Sequence, residues 1–290
     1  MIHYLVTRTH AYTMASFLES WGRALAGSIR IVAYEDVLAG AALPTGRASY
    51  IFADLDRLAG YSVRERGLLG QLHEHLVATC GAQRVLNHPE RALLRYALLR
   101  RLHADGRNRF GAWRATQAPE RYPVFLRREA GFEKRAPELL RTASEYTRAV
   151  HAEPPDGLLA VEFCDTSRDG VYRKYGAFVV GGRIVPRHLF FSRGWMVKEA
   201  DLCGEDELRE ELAYLDANPH AAQLATIAAT AEISYGRVDY ALLGDQVQTW
   251  EINTNPLIAN LGATMAGAGR DAVHAHFAER FTAALEPLLA

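Results

Sequence analysis

Two hydrophobic periods alternate along the chain. Residues 2–7, 29–34, 50–52 and 84–86 are short β-rich runs. Between them, residues 12–25 and 65–80 carry apolar positions at helical spacing, with Phe17, Leu18, Trp21 and Leu25 near one face of the first. Strands alternating with helices predict a parallel sheet with helical cover. Ligand loops lie at the carboxyl ends of such strands, where Asp54 and Asp56 stand, facing a substrate or capping a helix. Further on, residues 90–103 predict a helix with Leu93, Leu94, Ala97, Leu98 and Leu102 as its apolar stripe. A strand over 122–128 ends in Arg127 and Arg128, and residues 138–150 read as helical. Residues 158–164, LLAVEFC, are almost continuously apolar, as a fully buried strand should be, with Glu162 as the exception. Residues 171–180 and 183–189 flank Gly181-Gly182, a strong hairpin signal. Helices over 205–215 and 219–231, a hairpin of 237–243 with 247–253, and a closing helix over 270–289 complete the pattern.

The second hairpin concentrates the chemistry. Side chains alternate faces along a strand, so Glu251 and Asn253 share one. A three-residue turn at Gly244, Asp245 and Gln246, or a bulge, sets Asp239 opposite Glu251. That register puts Val238, Tyr240, Leu242, Trp250 and Ile252 on one face and Asp239, Glu251 and Asn253 on the other. Two carboxylates held close repel unless positive charge lies between them. With a carboxamide beside them they form a set of hard oxygen donors. Magnesium takes one or two carboxylates and fills its other positions with water and substrate phosphates. The pattern therefore predicts an open Mg²⁺ site awaiting a nucleotide; a solvated acidic patch is the alternative. Asn255-Pro256 follows as a polar loop.

Composition narrows the class. The chain has 290 residues, 49% hydrophobic and 23% charged, enough for a sizeable core of two or three lobes. A net charge of −1 gives no electrostatic case for nucleic acid or an anionic membrane. No apolar run approaches the ~20 residues of a spanning helix, and MIHYLVTRTH is too short in its apolar part for a signal peptide. Cys80, Cys164 and Cys203 are scattered, which argues against a disulfide framework or a cysteine metal site and favours a cytoplasmic setting.

The D…ExNxNP pattern of Asp239 and residues 251–256 resembles the ATP-grasp superfamily, and more narrowly bacterial ATP-grasp proteins described as glutamate-ligase-like. The resemblance implies an α/β fold of α+β lobes. Residues 1–87 would form an N-terminal parallel-sheet domain and residues 88–290 the ATP-grasp domain, with about 115–164 as the small lobe over the nucleotide. It implies Asp239, Glu251 and Asn253 as metal ligands, with Asn255 facing phosphate or substrate. LNHPERALLR places Arg95 where the family has a basic residue reaching the phosphates. Arg127 ends the strand whose final lysine does the same; both stand here as arginine. Residues 129–137 occupy the place of a glycine-rich phosphate loop, as a lid or a plain charged loop carrying Lys134 and Arg135.

Glu162 and Cys164 are implied to supply the hinge backbone groups that meet the adenine edge, with Phe163 packing nearby and Asp165 or Asp169 near the ribose. Of the cations on or after the Gly-Gly hairpin, Arg187 and Arg193 are implied to stabilise phosphate and acyl-phosphate oxygens. His188 and Lys198 would face substrate, although a satisfied histidine is the plainer reading of His188. Gly262, Gly267 and Gly269 wrap a substrate or simply connect. The implied function is an ATP- and Mg²⁺-dependent ligase joining a small-molecule or peptide carboxylate to an amine through an acyl phosphate. A small-molecule kinase and a non-catalytic nucleotide-binding protein are the alternatives. A homo-oligomer is compatible with all three.

Overall fold

The computed structural model describes residues 1–44, 46–130, 137–259 and 270–289. Lys134, Arg135, Gly262, Gly267 and Gly269 lie outside these residues.

β1 (Ile2–Val6), β2 (Ile29–Ala33), β3 (Ser49–Phe52) and β4 (Val85–Leu86) pair in parallel, in the order β2-β1-β3-β4. This is the sheet the alternating pattern predicts. β1 and β3 are buried throughout, as interior parallel strands are. Their cover is α1 (Tyr12–Glu19), α2 (Tyr34–Leu38) and α3 (Val63–Cys80). α1 is shorter than the apolar spacing suggests. The chain leaves it at Ser20 and folds Gly22 back onto Phe17, where a Cβ would lie 2.4 Å from the ring. α3 starts before Glu65, because Ser62 and Glu65 form a reciprocal capping box.

α4 (Arg95–Ala104) begins five residues later than the leucine stripe predicts. Residues 90–94 are spent on turns, and the Leu93 N–H docks on the Ala231 carbonyl at 2.8 Å. Arg95 consequently opens the helix rather than sitting inside it. β5 (Ala112–Arg114), β6 (Val124–Arg128) and β7 (Leu158–Glu162) form an antiparallel sheet in the order β5-β7-β6, with α5 (Ala143–His151) beside it.

β8 (Tyr172–Val180), β9 (Arg183–Ser192), β10 (Tyr235–Leu243) and β11 (Gln246–Asn253) form the third sheet, antiparallel in the order β11-β10-β8-β9. Gly181 and Gly182, at φ 55° and 85°, make the tight β8–β9 turn. α6 (Glu205–Ala217), α7 (Ala221–Thr230) and α8 (Arg270–Leu285) pack against this sheet. One hydrophobic cluster runs from the first sheet into the third; in it Phe17 meets Phe281 edge-on at 5.3 Å, and Phe281 meets Phe178 at 4.8 Å. Among the described residues no helix is long and apolar enough to cross a membrane.

Asn87, just after β4, joins the first and third sheets. Its amide donates to the carbonyls of Phe52 (2.9 Å) and Tyr235 (2.8 Å), and its oxygen accepts from the N–H groups of Ser234 (2.8 Å) and Tyr235 (2.9 Å). It is buried and sits at φ 62°, which asparagine tolerates better than most residues. Asn87→Ala would strand four buried polar groups. The expected loss is about 3 kcal/mol of unfolding free energy, read from urea denaturation; a loss under about 1 kcal/mol would mean that the sheets are joined by packing alone.

Candidate active site

The β10–β11 pairing places Arg237 opposite Asn253 and Asp239 opposite Glu251, then Tyr240 opposite Thr249. The slip leaves Trp250 unpaired as a bulge, so the hairpin closes with the two residues Gly244-Asp245 and Gly244 takes φ 60°. Of the two arrangements that bring Asp239 opposite Glu251, the chain uses the bulge. Trp250 therefore does not join Ile252 in the core as expected. It stacks on Phe110, ring centroids 4.3 Å apart, and lines a cleft.

Each carboxylate of the pair has its own cations. Asp239, 2% exposed, accepts from Arg237 Nε at 2.6 Å and Nη2 at 3.0 Å, and meets Lys174 Nζ at 3.0 Å. Glu251 meets Arg127 at 3.2 Å and also Arg95, which in addition donates to the carbonyls of Arg128 (2.7 Å) and Glu129 (2.8 Å). Burial alone would raise both acids. Arg237 and Lys174 outweigh it at Asp239, and Arg95 and Arg127 outweigh it at Glu251, so both are held well below the usual carboxylate range.

Two clefts meet at Glu251. The first lies between the β5-β7-β6 sheet and the β11-β10-β8-β9 sheet. Phe125, Cys164, Trp195, Met196 and Trp250 supply its apolar wall, and Arg127, Lys174 and Lys198 its cations, with Asp239 and Glu251 at one end. The second lies at the carboxyl ends of β1 and β3. It is lined by Asp54, Asp56, Arg57, His10 and Thr13 together with Arg95, Arg237, Glu251, Asn253 and Asn255.

The expected site residues divide accordingly. Asp239, Glu251, Arg127, Cys164 and Lys198 line the first cleft, and Arg95, Asn253 and Asn255 the second. The Asn255 side chain is a bracket rather than an open contact. Its oxygen accepts from the hydroxyls of Tyr4 (2.8 Å) and Thr13 (2.5 Å), and its nitrogen donates to the His10 carbonyl at 3.3 Å. Sheet pairing takes part of the hinge backbone. The Glu162 N–H is bound to the Gly111 carbonyl (3.0 Å) and the Phe163 N–H to the Pro123 carbonyl (2.9 Å), so sheet pairing already uses both donors. The Glu162 carboxylate accepts from Arg121 Nε (3.0 Å) and Nη2 (2.8 Å) and from the Gly111 N–H (2.8 Å), which explains a charge inside an apolar strand. Phe163 packs edge-on against Trp195 at 5.6 Å.

Arg187, His188 and Arg193 line neither cleft. β9 bulges against β8, with Gly176 opposite His188 and Ala177 opposite Pro186, and Arg187 falls in the gap. It turns inward, 2% exposed, with its guanidinium 4.5 Å from the Phe277 ring and 5.1 Å from Trp21. Burial, then Arg237 and Arg270 nearby, brings its pKa down to about 9. His188 is buried, stacked on Phe190 at 4.1 Å, and fills the space that a Cβ on Gly176 would need. Burial and the surrounding cations hold it well below the usual histidine range, so it is neutral. Arg193 is exposed, and its backbone N–H is tied to Asp201 at 3.1 Å. Asp165 closes a local turn on the Ser167 N–H at 2.9 Å.

Several site residues escaped sequence reasoning. Lys174 meets Asp239 because Gly176 pairs with Asp239 and Lys174 lies two residues away on the same face. Only the cross-strand register carries that signal. Trp195 and Trp250 read as ordinary apolar residues, and His10 lies beyond any motif. Asp54 and Asp56 do face a cleft, and the Asp54 side chain does not cap the 3₁₀ turn that follows it.

No protein-family model matches the sequence, and no curated protein does. Solved structures do match the whole architecture. A D-cycloserine synthetase, DcsG, superposes at TM-score 0.54 with 18% identity, over 99% of this chain and 100% of that one. The ATP-grasp ligase PsnB, complexed with precursor peptide PsnA2 and AMPPNP, does so at 0.52 with 11% identity, over 100% and 97%. D-alanine–D-alanine ligase from Bacillus anthracis gives 0.50 with 11% identity, over 97% and 98%. The chain has the ATP-grasp fold. At these identities the likeness concerns the fold, and the chemistry rests on this chain's own residues.

The depressed carboxylates set a pH dependence. Glu251, held down to about 2, stays ionised in the folded chain after an unfolded glutamate, at about 4.3, has protonated. Its stabilisation is therefore complete above pH ~4.3 and is lost as pH falls through the folded value. Urea unfolding from pH 7 down to pH 3 should show wild type losing stability more steeply than Glu251→Gln. Parallel slopes would mean that Arg95 and Arg127 do not hold this charge.

Proposed function

We propose that this chain is an ATP- and Mg²⁺-dependent carboxylate–amine ligase acting through an acyl phosphate. The observation that carries the reading is the junction of two clefts at Glu251: one has aromatic walls and cations, the other is polar, and the Asp239–Glu251 pair lies between them. The first suits a nucleotide, whose base stacks on aromatic or apolar walls while cations take its phosphates. The second suits an acid and an amine. In this reading residues 88–290 are the nucleotide-handling unit, with about 115–164 covering the base, and residues 1–87 supply the far wall of the second cleft.

The donor set fits Mg²⁺. Asp239 and Glu251 offer hard oxygens from a directly opposed pair, and Asn253 offers a third on the same strand face. Lys174, Arg237, Arg95 and Arg127 already balance the pair, so a metal with a polyphosphate exchanges one set of ionic partners for another. Held by Asp239, Glu251 and Asn253, Mg²⁺ would supply charge neutralisation for the polyphosphate. Arg127 and Lys174 would hold the transferring phosphoryl group's equatorial oxygens, and Lys198 the polyphosphate. Arg95, opening α4 beside Glu251, would hold the substrate carboxylate in line for attack on the γ-phosphorus. Such transfer depends on positioning and electrostatics rather than on a protein nucleophile.

A thermal shift with ATP and Mg²⁺ tests the first step, since a ligand at about a hundred times its dissociation constant adds about 2.7 kcal/mol of stability. The shift should require Mg²⁺ and should be lost in Asp239→Asn. With ATP, Mg²⁺, a panel of carboxylic acids and hydroxylamine, wild type should yield a hydroxamate, and Glu251→Gln should lower that rate by at least about 10²-fold. ADP formed with an alcohol and no hydroxamate would instead identify a kinase. Binding without turnover on any acid, amine or alcohol would leave a nucleotide-binding protein.

A further inference from the structure

The second cleft contains a side-chain group that the ATP chemistry leaves unused. β1 ends at Val6, and the chain continues through Thr7 into a 3₁₀ turn that closes on His10. His10 Nδ1 lies 3.0 Å from Asp54 Oδ2 and 2.9 Å from Thr7 Oγ1, and the Thr7 hydroxyl also donates to Asp54. Asp54 is 4% exposed and adopts φ 59°, an unusual conformation for a residue with a side chain. Its carboxylate makes no cap bond to the following turn; it is committed to Thr7 and His10. The backbone of His10 is fixed as well, its carbonyl accepting from Thr13 Oγ1 (3.1 Å) and Asn255 Nδ2 (3.3 Å).

The consequence is a defined tautomer. An ionised Asp54 accepts a hydrogen bond from Nδ1–H, which leaves the lone pair on Nε2. Among the described residues Nε2 has no hydrogen-bond partner, and the ring, with 26% of its side chain exposed, lines the cleft that Glu251 also lines. Asp54 and Asp56 outweigh Arg57, 3.8 Å from Asp56, and leave this group net negative, which favours an ammonium group. Arg95 and Arg237, which line the same cleft, are paired with Glu251 and Asp239.

We infer that the wall formed by Asp54, Asp56 and His10 binds the amine substrate, and that His10 Nε2, oriented by Asp54, takes the proton that frees the amine to attack. This rests on the ligase reading. The substrate arrives as R–NH₃⁺, and one proton passes to His10 Nε2. The nitrogen lone pair forms the C–N bond at the acyl-phosphate carbonyl. The C–O bond to phosphate then breaks, with its electron pair leaving on phosphate. The second nitrogen proton departs with that phosphate as HPO₄²⁻, so amide, HPO₄²⁻ and imidazolium balance acyl phosphate, ammonium and imidazole.

Hydroxylamine separates this step from the first, because it is largely uncharged at neutral pH and needs no proton removed before attack. Wild type, His10→Asn and Asp54→Asn are assayed with ATP, Mg²⁺ and the acid panel. The nucleophile is either hydroxylamine or one of ammonium chloride and the twenty L-amino acids. The ratio of amide to hydroxamate should fall on the order of 10²-fold in His10→Asn and about tenfold in Asp54→Asn. A change in this ratio is not what simple loss of folded protein produces. An unchanged ratio in both variants overturns the assignment, as does a wild-type enzyme that makes hydroxamate yet accepts no amine of the panel. Absence of hydroxamate from wild type with every acid overturns the ligase reading itself, and the base with it.

Discussion

Everything at the centre of this molecule depends on compensating two opposed negative charges, one buried and one half-buried. Asp239 and Glu251 stand directly opposite one another on neighbouring strands, where like charges destabilise a sheet. The fold resolves this by bringing a cation from each surrounding element: Arg95 from the start of α4, Arg127 from β6, Lys174 from β8 and Arg237 from β10. These elements belong to two sheets and a helix. Their meeting point is electrostatically defined before any ligand arrives, and it is also where the two clefts join.

The first sheet is attached to this centre by polar side chains at strand ends as well as by the shared aromatic core. Asn87 spans Phe52 and the Ser234–Tyr235 backbone. Thr254 accepts the Leu55 N–H at 2.9 Å, and Asn255 ties Tyr4, Thr13 and the His10 carbonyl together. The first two residues of the loop after β11, Thr254 and Asn255, therefore fix the carboxyl ends of β1 and β3 around the second cleft.

Two single-residue slips decide which side chains serve the clefts. The bulge in β11 releases Trp250 from the core face and gives the first cleft part of its aromatic wall. The bulge in β9 has the opposite effect and carries Arg187 into the aromatic interior against Phe277 and Trp21. A regular ladder would have paired Trp250 with Tyr240 on the core face, since a slip moves a side chain to the other face.

The sequence by itself determined the order and type of the main elements, the parallel first sheet, and the face shared by Asp239, Glu251 and Asn253. These follow from local periodicity: alternation with period two, helical stripes, and turn residues such as Gly181-Gly182. It also showed that Glu162 needed a partner, though not that Arg121 would be that partner. What tertiary structure alone decided was which residues meet. Lys174 reaches Asp239 through the register of β8 on β10, and His10 reaches Asp54 across 44 positions of chain. Arg187 and His188, which in sequence look like site cations, are withdrawn into the core by a bulge and by the close approach of Gly176. Side-chain periodicity is a property of neighbours along the chain, whereas register, bulges and charge compensation are properties of neighbours in space. Only the packed molecule fixes the latter.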